Sequence, residues 1–348
     1  MSISSPFTGP SARRIAIEEH FITPAVSAEF KRLLDTPSDN LDWIECVPVY
    51  SRPNPILDAL LDIDGKRIED MNAGGVDMSL LSLAGPGVQM FETSRAVGLA
   101  VETNDFLVDV IRKHPTRFGG LATVAPQAPK AAAKEMARAI NTLGLHGFMI
   151  NSHTNNRYLD DPYFWPILEV AEALDRPIYL HPRMPSDGMA EPFRDIPLTT
   201  WAFGIETGHH AVRLMFSGVL DRFPNIRIVL GHMGEALHFW QWRLDQWYKE
   251  SQFFSPNWKK LGCKPSEYLK RNFVMTPTGN LNPDALEYSL KTLGADNILF
   301  AVDYPYQPHK PTADFVDITP MTDEERRKIY YGNAEKLFGV KSVAEAAA

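Results

Sequence analysis

Cysteine is scarce in this chain, and the scarcity excludes two classes of protein. Only Cys46 and Cys263 occur among 348 residues, and they form no C-x-x-C pair. A disulfide framework needs several paired cysteines, and a thiolate zinc site needs closely spaced ones. The sequence therefore predicts neither. The scarcity also favours a reducing compartment, and we expect the protein to be cytoplasmic.

Long apolar runs and an excess of positive charge are lacking as well. No run approaches the roughly 18 residues that a membrane-spanning helix needs. The formal net charge is -8 and no basic stripe is present, so neither a membrane nor a nucleic acid is an expected partner. Residues 1–12 are rich in Ser and Pro without an apolar core, which predicts a disordered arm instead of a signal peptide.

What the sequence has instead is an alternation of short apolar runs with longer amphipathic stretches of helical spacing. The strand candidates are residues 14–21, 77–83, 118–124, 147–152, 177–181, 226–232, 273–278 and 298–303, of which 273–278 is the weakest. Such alternation predicts a parallel sheet. Eight repeats predict an α/β fold, a (β/α)8 TIM barrel, formed by residues 13–340 as a single domain. Residues 341–348 are then a C-terminal tail.

Two segments do not fit the repeat. Residues 22–61 follow the first predicted strand, and residues 182–207 follow the fifth. Insertions after barrel strands lie on the C-terminal face, where active sites are built. We therefore expect both insertions to form walls or lids of a substrate pocket.

The predicted strands end in ionisable side chains. Glu18 and His20 end the first strand, His181 the fifth, His232 the sixth and Asp303 the eighth. Because side chains alternate along a strand, the two on the first strand face the same side. Each residue taken singly is explained by ordinary hydrogen bonding. Together they predict a site at the barrel mouth, because buried charges without partners are costly.

This set of side chains is typical of a catalytic metal site. Carboxylate and imidazole ligands without thiolates suit a divalent ion such as Mn²⁺ or Zn²⁺, and the sequence leaves both open. Two-metal barrel hydrolases commonly have His-x-His on the first strand and a carboxylated lysine on the fourth. Here the first strand has Glu-x-His, and residues 150–152 are Ile, Asn and Ser. The sequence therefore predicts a single ion.

A second cluster follows the sixth predicted strand. Gly234 allows a tight turn from strand to helix, and Glu235 is predicted in the first helical turn, where the helix dipole favours a carboxylate. There Glu235 either hydrogen-bonds His232 and sets its tautomer or serves only as a helix-start residue. Arg243 is predicted two turns further along the same helix, where an arginine is ordinarily solvated or salt-bridged.

Seven segments of the chain form an ordered series. They are IAIEEHF (15–21), LSLAGPGVQ (81–89), HPTRFGGLATVAPQ (114–127), INSHTNNRYLDD (150–161), PIYLHP (177–182), GHMGEAL (231–237) and FAVDYPYQ (300–307). In this series the chain resembles the decarboxylase branch of the amidohydrolase superfamily, which acts on γ-resorcylate, 2,3-dihydroxybenzoate, 5-carboxyvanillate and aminocarboxymuconate semialdehyde. The resemblance implies metal-dependent, non-oxidative decarboxylation of a hydroxylated aromatic acid, a small-molecule substrate.

The substrate stays open between two types. INSHT and DYPYQ look closest to the 5-carboxyvanillate type, whereas EEHF is more similar to the γ-resorcylate, or dihydroxybenzoate, type. The resemblance further implies that Glu18, His181 and Asp303 bind the metal, with His20 as a fourth ligand. Some relatives have alanine at the position of His20. It also implies that Asp303 delivers the proton to the ring and that no organic cofactor is needed.

The resemblance assigns the remaining site residues. His232 and Glu235 match a catalytic pair, Arg243 matches an arginine near the substrate, and Arg52 in the first insertion is similar to one that meets a substrate carboxylate. The resemblance also implies a homo-oligomer, either a homodimer or a homotetramer. The aromatic residues of WQW (240–242) and WY (247–248) are compatible with such an interface, and packing of the helix within one subunit explains them equally well.

Two other functions use the same residues differently. A mononuclear metal-dependent hydrolase of a lactone or amide would activate water with the same ligands. A non-catalytic barrel would be expected to lack ligands, and none is missing. Arginine and aromatic residues in the insertions, with no water-activating base beyond Asp303, favour the decarboxylase.

Overall fold

A computed structural model describes residues 13–254 and 259–340 of the chain. Within these residues one parallel sheet contains seven strands whose order in space is their order in sequence. The strands are Ile15–Phe21 (β1), Met78–Leu83 (β2), Phe118–Thr123 (β3), Gly147–Asn151 (β4), Ile178–His181 (β5), Ile228–Leu230 (β6) and Phe273–Met275 (β7). The predicted parallel α/β architecture is confirmed, including a strand in the weakest candidate. The predicted arm (1–12) and tail (341–348) lie outside the described residues.

Helices separate all consecutive strands. They are Pro24–Leu33 (α1), Leu41–Ser51 (α2), Pro55–Leu61 (α3), Lys66–Gly74 (α4), Thr93–Lys113 (α5), Pro129–Asn141 (α6), Trp165–Ala173 (α7), Asp187–Ala190 (α8), Leu198–Phe216 (α9), Val219–Arg222 (α10), Gln241–Phe254 (α11), Pro265–Asn272 (α12), Pro283–Leu293 (α13), His309–Ile318 (α14), Asp323–Arg327 (α15) and Asn333–Phe338 (α16). Short 3₁₀ turns lie at 162–164, 191–193 and 295–297, and a π turn lies at 328–332. Among the described helices, none is long and apolar enough to cross a membrane.

The strands are buried on both faces, as parallel strands covered by helices require. Every residue of the seven strands is buried. One alternate set, including Ile17, Leu121 and Val229, packs together on the inner face of the curled sheet. The other set, including Phe148 and Ile178, packs against the helices. This double burial explains why the strands appear in the sequence as nearly continuous apolar runs.

The eighth predicted strand, residues 298–303, is not a regular strand. At its start Ile298 forms an isolated parallel bridge with Met275 of β7. Just beyond its end, Tyr304 forms one with Glu19 of β1. The segment therefore contacts the sheet at both of its ends, between the last strand and the first. The prediction of a regular eighth strand is nevertheless wrong.

The physical reason is that two backbone donors of this segment bond outside the sheet ladder. The N–H of Phe300 donates to the carbonyl of Ile329 in the π turn, at 2.9 Å. The N–H of Val302 donates to a side chain, the Glu19 carboxylate, at 3.0 Å. These bonds replace the strand-to-strand pairing that a ladder needs.

The segments predicted as insertions contact each other. Asp42 of α2 accepts hydrogen bonds from the guanidinium of Arg183, which follows β5, and both side chains are buried. Leu41 packs in one small cluster with Met184 and residues of α8 and α9. The last part of the second predicted insertion is helical, because α9 begins at Leu198.

Candidate active site

Side chains from β1 and β5 converge where these strands end. Glu18, His20 and His181 are buried, and one ligand atom of each lies within 4.8 Å of the others. The pairing of β1 with β2 shifts register between Ala16 and Glu19, next to this point. Asp303 adjoins the group, with Oδ1 3.2 Å from His20 Nε2. The structure thus brings the four predicted ligands together.

Hydrogen bonds orient the two histidines. His181 Nδ1 lies 2.7 Å from the carbonyl of Pro182, which can only accept, so Nδ1 carries the proton. Its Nε2 is therefore an unprotonated acceptor, 3.8 Å from Glu18 Oε1. His20 Nδ1 lies 3.3 Å from Ser82 Oγ. Burial lowers the pKa of His181 to about 3, with a further contribution from His20, which leaves the neutral imidazole that metals bind.

The two oxygens of Glu18 have different surroundings. Oε2 accepts hydrogen bonds from the hydroxyls of Thr278 at 2.5 Å and Thr276 at 3.3 Å. Oε1 is buried without a hydrogen-bond partner, and so is His20 Nε2. Such orphaned atoms are costly, and a divalent cation between them would satisfy both. The residues present therefore fit a metal with oxygen and nitrogen ligands.

Asp303 is tied to the first strand and has a perturbed acidity. Its N–H donates to the carbonyl of Glu18 at 2.8 Å. Burial raises the pKa of Asp303 to about 6; the nearby His20 ring acts to lower it and the charge of Glu18 to raise it. The carboxyl therefore holds a proton closer to neutral pH than an ordinary aspartate does.

Residues 232–236 form a left-handed turn. Their φ angles all lie between 51° and 60°. Each non-glycine residue there costs about 1–2 kcal/mol, and strain of this kind clusters at functional sites. Met233 N–H donates to the carbonyl of Thr276 at 2.8 Å and helps to hold the turn. The prediction that Glu235 lies in the first turn of a right-handed helix is wrong, so the helix-dipole argument does not apply to it.

His232 and Glu235 are nevertheless paired. His232 Nδ1 lies 2.8 Å from Glu235 Oε1. Burial acts to lower the pKa of His232, but the charge and hydrogen bond of Glu235, with Glu18 and Asp303, raise it to about 10. Thr278 joins the pair to the cluster, because its hydroxyl accepts from His232 N at 3.3 Å and donates to Glu18. His232 therefore lies beside the predicted ligands.

Two tyrosines beside the cluster were not found from the sequence. The ring of Tyr306 lies 5.7 Å from that of His20, centre to centre. Its hydroxyl is 2.6 Å from that of Tyr50, on α2 in the first insertion. Burial raises the pKa of both phenols, which stay protonated. The position of Tyr306, three residues after Asp303, could have identified it from the sequence. No local sequence pattern points to Tyr50.

The two predicted substrate-binding arginines lie outside the cluster. Arg52 is exposed directly after α2, and its carbonyl accepts from the Asn54 side chain at 2.8 Å. Arg243 is exposed on α11, which begins after the left-handed turn, so the predicted shared helix with Glu235 is wrong. Its guanidinium lies 5.9 Å from the ring centre of Trp247. Arg243, Trp247 and Glu235 line an apolar groove of about 570 Å³ between α9 and α11.

Most of this site lies within the part of the chain that matches a known family. The amidohydrolase family model matches residues 57–340, which include β5, the left-handed turn and Asp303. The chain belongs to the amidohydrolase family.

The relatives cover nearly the whole amidohydrolase chain. It is 37% identical over 340 residues to γ-resorcylate decarboxylase of Polaromonas sp. strain JS666, covering 93% of this chain and 98% of the relative. The crystal structure of 5-carboxyvanillate decarboxylase from Sphingomonas paucimobilis matches with a TM-score of 0.92 at 42% identity, covering 95% of this chain and 100% of that one. Dihydroxybenzoic acid decarboxylase from Polaromonas sp. JS666, solved with manganese and the inhibitor 2-nitroresorcinol, matches with a TM-score of 0.82 at 35% identity, covering 96% and 98%. The resemblance to the decarboxylase branch is confirmed.

Proposed function

We propose that this chain is an enzyme, a metal-dependent decarboxylase of an aromatic acid with a hydroxyl group next to its carboxylate. The observation that carries the proposal is the convergence of Glu18, His20 and His181, with two buried ligand atoms unpartnered. The relatives named for γ-resorcylate and 5-carboxyvanillate support it, because both substrates have that adjacent hydroxyl. None of the relatives described above supports the hydrolase alternative.

The proposal includes the architecture around the site. Residues 13–340 would form one (β/α)8 barrel in which residues 298–303 take the place of the eighth strand. The bridges of this segment to β7 and β1 support closure. The two insertions would cover the C-terminal face, which the buried contact between Asp42 and Arg183 supports.

The proposed cofactor is one divalent ion, Mn²⁺ or Zn²⁺, held by Glu18, His20, His181 and Asp303, with no organic cofactor. Such an ion supplies positive charge that binds and orients a carboxylate and the neighbouring phenolic oxygen. The manganese in the dihydroxybenzoic acid decarboxylase from Polaromonas supports a divalent ion. Oxygen and nitrogen ligands accept either metal, and availability often decides between them.

The chain's own residues would move the protons. Asp303 would give a proton to the ring carbon that bears the carboxylate, forming a C–H bond. The bond from that carbon to the carboxylate then breaks, CO₂ leaves, and its electron pair restores the aromatic ring. His232, held by Glu235, would hold the proton of the phenolic oxygen or position the ring.

The test of this function is CO₂ release from a panel of acids. We expect turnover of 2,6-dihydroxybenzoate, 2,3-dihydroxybenzoate or 5-carboxyvanillate by the Mn²⁺- or Zn²⁺-loaded chain. Benzoate, which has no adjacent hydroxyl, is the matched control and should give none. Hydrolysis of a lactone or amide panel without CO₂ from any acid would contradict the proposal.

Metal content should be one equivalent per chain. The sequence on β4 contains no lysine to bridge a second ion, and the converging ligand atoms form one cluster. Elemental analysis of the purified protein checks this, and removal by a chelator should abolish turnover until Mn²⁺ or Zn²⁺ is restored. Two equivalents per chain would refute a single-ion site.

Arg52 is proposed to anchor a substrate carboxylate or a neighbouring polar group. It follows Tyr50 by two residues, and Tyr50 contacts Tyr306 beside the cluster. Arg52→Ala should raise KM or lower kcat/KM by about 10- to 100-fold, from the loss of a charged hydrogen bond. Arg32→Ala, an exposed arginine of the same insertion, is the control and should match wild type. Unchanged kinetics for Arg52→Ala would remove it from the site.

The chain is proposed to form a homodimer or homotetramer through an exposed aromatic surface on and beside α11. Trp242 is 75% exposed and Phe253 and Phe254 are each 78% exposed. Exposed apolar patches of this kind typically mark interfaces. Light scattering at micromolar concentration should give an oligomer, and Trp242→Lys should shift it towards monomer. Ile318→Lys, at a 69% exposed position on α14, should leave the mass unchanged. A monomeric wild type would contradict the proposal.

A further inference from the structure

Glu19 is a buried carboxylate on β1 with no place in the mechanism above. It stands between Glu18 and His20, and its side chain is fully buried. Oε1 accepts a hydrogen bond from the N–H of Val302 at 3.0 Å, and Oε2 lies 3.3 Å from Nε2 of His309 on α14. A buried charge of this kind calls for a specific role, since burial alone costs free energy.

Arg67 of α4 is a second buried charge next to it, 1% exposed. Its Nη2 donates to the carbonyl of His20. Its guanidinium lies over the ring of Tyr304 at 4.6 Å, and that ring lies 4.8 Å from the ring of His309. The carbonyl of Tyr304 accepts from the N–H of His20 at 2.7 Å. We call Glu19, Arg67, Tyr304 and His309 the backing cluster.

The hydrogen bonds of the backing cluster go to the backbone that carries predicted metal ligands. Both backbone polar groups of His20 are held: its N–H donates to the carbonyl of Tyr304, and its carbonyl accepts from Arg67. Val302, directly before Asp303, is held by the Glu19 carboxylate. The cluster thus joins β1 to residues 298–303 at the point where regular strand pairing is missing.

We propose that the backing cluster positions His20 and Asp303 for metal binding, with Glu19 and Arg67 as positioning residues. The inference rests on the proposed function, because it needs a metal at the site. Replacing a buried ionic group by apolar side chains of similar volume is often neutral or stabilising. Packing alone therefore does not explain these charges. What apolar side chains cannot supply is an acceptor for Val302 N–H and a donor to the carbonyl of His20.

The metal affinity of each chelator-treated variant distinguishes a role in positioning the ligands from a role in folding alone. Binding of Mn²⁺ alone, followed by electron paramagnetic resonance or calorimetry, should be about 10- to 100-fold weaker in Glu19→Ala and in Arg67→Met, the range known for residues that orient metal ligands. Glu19→Gln retains an oxygen that can accept from Val302 N–H. We expect it to restore most of the affinity that Glu19→Ala loses.

Glu135→Ala is the matched control. Glu135 is also buried, but it binds Asn104 at 2.7 Å and Arg138 at 2.8 Å on α5 and α6, which carry no predicted ligand. The Glu135→Ala substitution should lower the midpoint of thermal unfolding and leave the Mn²⁺ dissociation constant within about twofold of wild type. Unchanged affinity in folded Glu19→Ala and Arg67→Met would overturn the inference, as would equal weakening in Glu135→Ala. If Glu19→Ala does not fold, the affinity of Arg67→Met compared with that of Glu135→Ala decides the result. A wild type that binds no Mn²⁺ would overturn the proposed function itself.

Discussion

Replacing His181 with alanine is expected to remove both the bound metal and the turnover. His181 presents an unprotonated Nε2 to the cluster because its Nδ1 proton is held by the carbonyl of Pro182. Alanine offers no ligand atom, and the remaining groups from β1 and Asp303 include two carboxylates that repel each other without a cation. We expect metal affinity to fall more than about 100-fold, beyond the range seen for residues that only orient a ligand.

Elemental analysis and CO₂ release on the same preparation check this prediction. His146→Ala is a suitable control, because burial also lowers the pKa of His146, to about 4, and this residue precedes β4 at the opposite end of the strands. The control should keep its metal and its activity. A His181→Ala protein that still carries one equivalent of metal would show that β5 does not supply a ligand.

The second large effect is expected at His232, and it should be of a different kind. His232 is tied to Glu235 and to Thr278, whose hydroxyl also binds Glu18, but it is not one of the converging ligand atoms. His232→Ala should therefore keep the metal and lower kcat by about 10²- to 10⁴-fold, the range for a lost acid–base group. Metal content and single-turnover kinetics measure the two parts separately.

His238→Ala is the control for the surroundings of the turn. His238 is buried two residues after the left-handed turn and pairs with Ser289 at 3.0 Å, away from the cluster. It should cost stability without a large change in kcat. If His232→Ala is purified free of metal, the separation of its role from that of His181 is wrong.

Much of the fold and the cluster could be predicted because parallel strands impose strong patterns. A strand buried on both faces must be apolar along its length, so Phe118–Thr123 and Gly147–Asn151 are visible as short runs. The carboxyl ends of such strands meet at one edge of a sheet. Polar side chains at those ends, such as His181, were therefore predicted to lie together, and they do.

Residues 298–303, predicted as the eighth strand, show what this apolar pattern cannot distinguish. Ile298, Phe300 and Val302 pack towards the helices while Leu299 and Ala301 face the inner core, as in a true strand. The apolar pattern is therefore the same whether or not the backbone pairs regularly. Only the tertiary structure places the carbonyl of Ile329 and the Glu19 carboxylate where they capture its N–H groups.

The left-handed turn and the tyrosine pair were unpredictable for other reasons. In residues 232–236 only Gly234 favours positive φ, so local preference predicts a right-handed turn. Contacts with the loop after β7 override that preference, including the bond from Met233 to Thr276. Tyr50 and Tyr306 are 256 residues apart in the sequence, and no local pattern predicts a contact between residues so far apart.

The position of residues 298–304 also matters for how the protein is made. Of the seven strands, β1 is synthesised first. One of its neighbours in the sheet is β2, and the other is this segment, which is synthesised only after β7. Until it is synthesised, β1 has an open edge, which invites pairing with other chains. In that incomplete chain, Glu18 and His20 are present on the open edge, but Asp303 is absent. The Val302 N–H that donates to Glu19 is absent as well. The full ligand set therefore cannot assemble before residues 298–304 have been synthesised, and we expect metal loading to follow that step.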